Sequence, residues 1–108
     1  MTTFPCPYLG GEVELTDERE RHIAETHPEL LPEQKNKIGD TLLDPDQVRR
    51  SRRFANACLF SKWYDDLLKG KHLVVVVVSG AEPKSRNWIV TAYATKNIPE
   101  GDVEWKRS

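Results

Sequence analysis

Three histidines, His22, His27 and His72, are the side chains best suited to moving protons near neutral pH in this sequence of 108 residues. Imidazole alone has an ordinary pKa in that range. His22 and His27 are five residues apart, which on a continuous helix sets them about 140° apart and off any common face. They do not read as one pair. Glu18 and Glu25 lie one helical turn to either side of His22 and can pair with its imidazolium. His27 stands directly before Pro28, a place as well suited to capping or packing a helix end as to catalysis. His72, between Lys71 and a run of valines, reads as structural.

Cationic and hydroxyl-bearing side chains gather further along the chain. Splitting the alternating segments into faces puts Thr91, Tyr93 and Thr95 on one side of a strand, Lys62 and Tyr64 on one side of another, and Arg50 and Arg52 on one side of a third. If helices cover one face of the sheet, the other would show these residues in a shallow concave site. Guanidinium groups grip phosphate through paired donors, tyrosine stacks on a splayed base, and hydroxyls bond phosphate or ribose oxygens, so such a face suits RNA. The same residue types also suit an ordinary solvated sheet face.

The formal charge of −1 conceals a polarity along the chain. Through Asp46 there are eleven Asp+Glu against four Lys+Arg, and from Gln47 onward six against twelve, so the halves carry −7 and +6. A basic half steers anionic ligands even in a protein of acidic pI. Cys6 and Cys58 are the only cysteines, too few for a disulfide framework and without metal-ligand spacing, so neither a metal nor another cofactor is expected. Nothing resembles a secretory leader or approaches the roughly 20 apolar residues of a membrane span, which points to a cytoplasmic protein that makes no membrane contact.

The elements that must position these residues follow from periodicity and punctuation. The chain is expected to be a single α+β domain over residues 1–108, with two N-terminal helices packed on a four- to five-stranded antiparallel meander. Residues 1–11 read as an extended N-terminal segment because of Pro5 and Pro7, with Glu12 to Leu15 as a short edge strand. The helical part spans 12–46. Thr16 is the expected N-cap of a helix from Asp17 to about Thr26, and a second helix runs from near Pro32, with Ile38 and Leu42 on one face, until Asp44-Pro45-Asp46 stops it. The sheet part spans 47–106, with strands at Gln47 to Arg53, Ala57 to Tyr64, His72 to Ser79 and Trp88 to Thr95, and a last short one at Val103 to Trp105. The run Leu73 to Val78 is too β-branched for a comfortable helix and marks the central strand.

The segments His22-Ile23-Ala24-Glu25-Thr26-His27-Pro28-Glu29-Leu30, Ile38 to Leu42 with Pro45-Asp46-Gln47-Val48, Leu59-Phe60 to Tyr64, the valine strand, and Val90-Thr91-Ala92-Tyr93-Ala94-Thr95 carry a resemblance. Over roughly residues 12 to 105 the chain resembles the small bacterial and phage proteins grouped as barnase/EndoU/colicin/RelE-like (BECR, phage-type PBECR) nucleases. That resemblance implies helices on an antiparallel sheet and metal-independent cleavage of RNA, in which the ribose 2′-hydroxyl attacks the neighbouring phosphate. It offers His22, His27, Arg52, Lys62 and Tyr93 as catalytic residues and Arg50, Tyr64, Thr91 and Thr95 as substrate-binding ones. Where relatives often carry Arg after the aromatic residue of the second strand, this chain has Ser61-Lys62, a point charge without bidentate geometry. RNA, transfer RNA included, is the implied partner, with a protein inhibitor or a homodimer beside it, as in toxin-like proteins. The alternatives are an RNA-binding module that does not turn over and a protein-interaction or antitoxin-like domain that uses the acidic helices.

Overall fold

A computed structural model describes residues 1–81 and 85–107. Strand β1 (Thr2–Cys6) and strand β2 (Gly11–Leu15) form a hairpin around a short 3₁₀ turn, Pro7–Leu9. Helices α1 (Asp17–Thr26) and α2 (Lys35–Leu43) come next. The remaining strands are β3 (Gln47–Arg50), β4 (Ala57–Tyr64), β5 (Lys71–Gly80), β6 (Arg86–Thr95) and β7 (Asp102–Lys106).

This architecture overturns the expected one. Among the described residues the sheet is mixed and has seven strands in the order β1-β2-β6-β5-β4-β3-β7. The helices do not begin the fold, because a hairpin precedes them. Prolines near the start did not prevent β1, since it is an edge strand, where a missing N–H is tolerated. Strand β2 then joins β6 in parallel through the single pair Glu14 and Trp88. The last strand also departs from a meander. Six residues after Thr95 cross a face of the sheet, so that β7 pairs with β3 rather than β6.

Local chemistry explains the element ends. The Thr16 hydroxyl accepts from the Arg19 amide at 3.2 Å, and Asp17, Glu18 and Glu20 place negative charge in the first turn of α1, where the helix dipole favours it. At the other end His27 leaves helical geometry (φ −133°) ahead of Pro28 while its amide still bonds Ile23. Strand β3 stops at Arg50 because the Ser51 hydroxyl accepts from the amides of Arg53 and Phe54, closing a turn.

Both helices cover one face of the sheet. Ile23, Leu30, Leu31, Ile38 and Leu42 meet Val48, Phe60, Leu73, Val75, Val77, Ile89 and Ala92 there, all buried. Burial of each of these side chains larger than alanine contributes about 1.5–3 kcal/mol. On the opposite face Ala57, Leu59, Ser61 and Val74 are buried too. The crossing segment lies over that side. Pro99 accepts from Arg49 Nη1 at 3.2 Å, and Gly101 sits so close that an added Cβ would be 2.9 Å from the Arg50 carbonyl oxygen and 3.2 Å from Arg49 Cβ.

Candidate functional site

The strand register separates residues that the alternation alone left free to share a face. Leu73 stands between Lys62 and Ala94, and Val75 stands between Phe60 and Ala92, so Lys62 and Tyr64 belong to the helix-covered side. Lys62 Nζ donates to the Asp44 carbonyl at 3.0 Å and lies 3.7 and 3.9 Å from the carboxylates of Asp44 and Asp46. The Tyr64 hydroxyl is 3.0 Å from both the Lys37 carbonyl and the Thr41 hydroxyl. Burial pushes its pKa up to about 12. It fastens α2 to β4 as a neutral group.

The two arginines are also engaged. Arg50, opposite Cys58 in the register, grips Glu104 through Nε at 2.7 Å and Nη2 at 3.1 Å, and its Nη1 donates to the Ala55 carbonyl. Glu104 accepts from the Tyr8 hydroxyl as well, at 2.9 Å. Arg52, in the turn after β3, bonds Asp102 at 3.3 Å and lies 3.6 Å from Glu100. His22 is exposed on α1, and its carbonyl accepts from Thr26 Oγ1.

The opposite face carries the other candidates in rows. Thr95 faces His72, which faces Trp63; Tyr93 faces Val74, Ser61 and then Gln47; Thr91 faces Val76, Leu59 and then Arg49. A bulge in β6 leaves Val90 between the partners of Val76 and Val77, which fixes this orientation of the C-terminal half of the strand. Among the described residues Glu14–Trp88 is the one pair that β6 makes on the side away from β5, and α1 packs against β6. His27, the C-cap of α1, meets Tyr93 of β6, with ring centroids 6.2 Å apart and planes inclined by 34°.

Glu29 Oε1 lies 3.4 Å from His27 Nδ1. A carboxylate there favours the tautomer with the proton on Nδ1 and leaves the Nε2 lone pair available as a base. Burial raises the Tyr93 pKa, so its hydroxyl stays protonated and can donate. Thr95 Oγ1 is occupied in a local turn, donating to the Asn97 carbonyl and accepting from the Asn97 amide. Lys96 follows at the exposed end of the strand and forms no ion pair among the described residues. Glu29 is the residue at this site that motif reasoning missed; its spacing of two from His27 across Pro28 was the available signal.

A separate hollow of about 290 Å³, lined by Pro7, Tyr8, Leu43, Asp44, Pro45 and Trp105, lies at the β7 end of the sheet. Among the described residues no group of three or more His, Cys, Asp or Glu side chains is arranged to hold a metal ion, and no helix is long and apolar enough to cross a membrane. The chain matches no family model, no curated protein and no solved structure.

Proposed function

We propose that the protein is a metal-independent endoribonuclease-like domain, of the kind its sequence resembles, acting where His27 meets Tyr93 of β6. The observation that carries this reading is the juxtaposition of His27 and Tyr93, with Glu29 behind the imidazole. In the proposed reaction His27 Nε2 takes the proton of a ribose 2′-hydroxyl, whose oxygen attacks the adjacent phosphorus. The bond from phosphorus to the 5′-oxygen breaks, and Tyr93 supplies the proton that the leaving oxygen needs. Products are a 2′,3′-cyclic phosphate and a 5′-hydroxyl. Proton transfer of this type contributes about 10²–10⁴-fold to a rate.

Thr91, on the face of Tyr93, and Lys96, at the end of the strand, are suited to the ribose and to the charge on phosphorus. The +6 charge of the chain from Gln47 onward favours a polyanion over a neutral substrate. The carboxylates around Arg50, Arg52 and Lys62 favour a second reading, an RNA-binding module without turnover, because they remove from the phosphate the guanidinium groups best shaped to stabilise its developing charge.

The two readings separate in one experiment. Purified protein is incubated with a broad RNA panel, including transfer RNA, in the presence of a chelator, and product ends are analysed. Fragments ending in a cyclic phosphate are expected from the nuclease. Intact RNA that nevertheless binds in a salt-dependent way supports the module.

A further inference from the structure

Trp63 stands on the same sheet face as Tyr93 and is 43% exposed, yet its indole is held from three directions. Nε1 donates to Asp65 Oδ1 at 2.6 Å. The His72 ring meets the indole edge-on, with centroids 4.9 Å apart and planes at 74°. On a third side lies Gly70, where an added Cβ would come within 2.9 Å of Trp63 Cζ2; its φ of +101° is a conformation that glycine adopts freely. An exposed tryptophan loses freedom in being fixed this way, while part of its apolar surface stays in water.

We propose that Trp63 is the platform on which a nucleobase of a single-stranded substrate stacks. This rests on the ribonuclease reading, whose substrate side it specifies. Trp63 and Thr95 are both direct register neighbours of His72, so two strand spacings, roughly 10 Å, separate the platform from the strand that carries Tyr93. A base on Trp63 therefore belongs to a nucleotide flanking the reacting one. Stacking uses the π-face that every base presents, so the platform prefers unpaired strands over duplex without choosing a sequence. The basic side chain Lys96 directly follows Thr95, which is level with Trp63 in the register.

The test uses a short single-stranded DNA, which lacks the attacking 2′-hydroxyl and stays intact on the wild-type protein. Its affinity for wild type, Trp63→Phe and Trp63→Ala is measured by fluorescence anisotropy with a labelled strand. Binding is expected to weaken on the order of 10-fold or more in Trp63→Ala and much less in Trp63→Phe, which keeps a ring. Equal binding by wild type and Trp63→Ala overturns the proposal, as does no binding by the wild type. Should Trp63→Ala not fold, the emission of Trp63 is followed in a Trp88→Phe/Trp105→Phe chain: quenching on addition of the strand supports stacking, and unchanged emission overturns it. Loss of binding in Trp63→Ala with no RNA cleavage by wild type would sink the nuclease reading alone. Cleavage by wild type with an unchanged KM in Trp63→Ala would sink the platform alone.

Discussion

The Arg50 guanidinium holds the Glu104 carboxylate through two hydrogen bonds, of 2.7 and 3.1 Å, across 54 residues of sequence. This clasp ties β3 to the edge strand β7, and Tyr8 extends it to the turn of the N-terminal hairpin. Arg50 is in this way engaged within the fold, although its type suits phosphate. Arg50→Ala is predicted to lower stability by about 1 kcal/mol in urea unfolding while leaving the rate of RNA cleavage within about 3-fold of wild type. Loss of cleavage in a variant that is still folded would return Arg50 to the substrate site.

Glu104 gives the clasp a pH signature. The hydrogen bonds from Arg50 hold its pKa below the ordinary 4.5, so the folded state binds this proton more weakly than the unfolded chain does. The contribution is complete above about pH 4.5 and is lost as pH falls through the lowered value. Urea midpoints should therefore drop in acid more steeply for wild type than for Glu104→Gln. Parallel curves would show that the carboxylate is not clasped in solution.

Tyr64 acts at the alkaline end. Its folded pKa of about 12 lies above the ordinary 10.0, so its contribution is complete below pH 10 and disappears as pH rises towards 12. Tyr64→Phe should be less stable than wild type at pH 8 and should converge with it between pH 10 and 12. A constant difference across that range would contradict the burial of a neutral hydroxyl against α2.

Gly39 in α2 lets the helix approach β1 closely. An added Cβ would be 2.9 Å from Phe4 Cδ1, so Gly39→Ala is predicted to destabilise by about 1 kcal/mol, even though alanine is the better helix former by a similar amount. In a Phe4→Leu background the penalty should vanish or change sign. Stabilisation by Gly39→Ala in the otherwise wild-type chain would mean that β1 does not pack where it is described.

Much of this molecule was legible before its structure. Thr16 announced the start of α1, and the hairpin signals after Pro45 marked β3 to β6, which do lie side by side in sequence order. Strand β1 was hidden by Pro5, because a proline argues against a strand unless the strand is known to be an edge. The seat of β7 was hidden for another reason: six residues can either turn back beside β6 or cross to β3, and local sequence does not decide between them. The row of Thr91, Tyr93 and Thr95 could be read from alternation. Its relation to Lys62 and Tyr64 could not, since a shift of one residue in register moves a whole strand's side chains to the other face. The meeting of His27 with Tyr93 depends on α1 packing against β6, a tertiary choice that neither helix nor strand signals by itself.

The most direct test of the proposed chemistry is the single-turnover cleavage rate of one defined RNA, in the presence of a chelator, by wild type, His27→Ala and His22→Ala. Cleavage by wild type, a loss of about 100-fold or more in His27→Ala, and a rate near wild type in His22→Ala are the predicted results. Undiminished cleavage by His27→Ala, or an RNA left intact by the wild-type protein, would contradict a nuclease built on His27 and Tyr93.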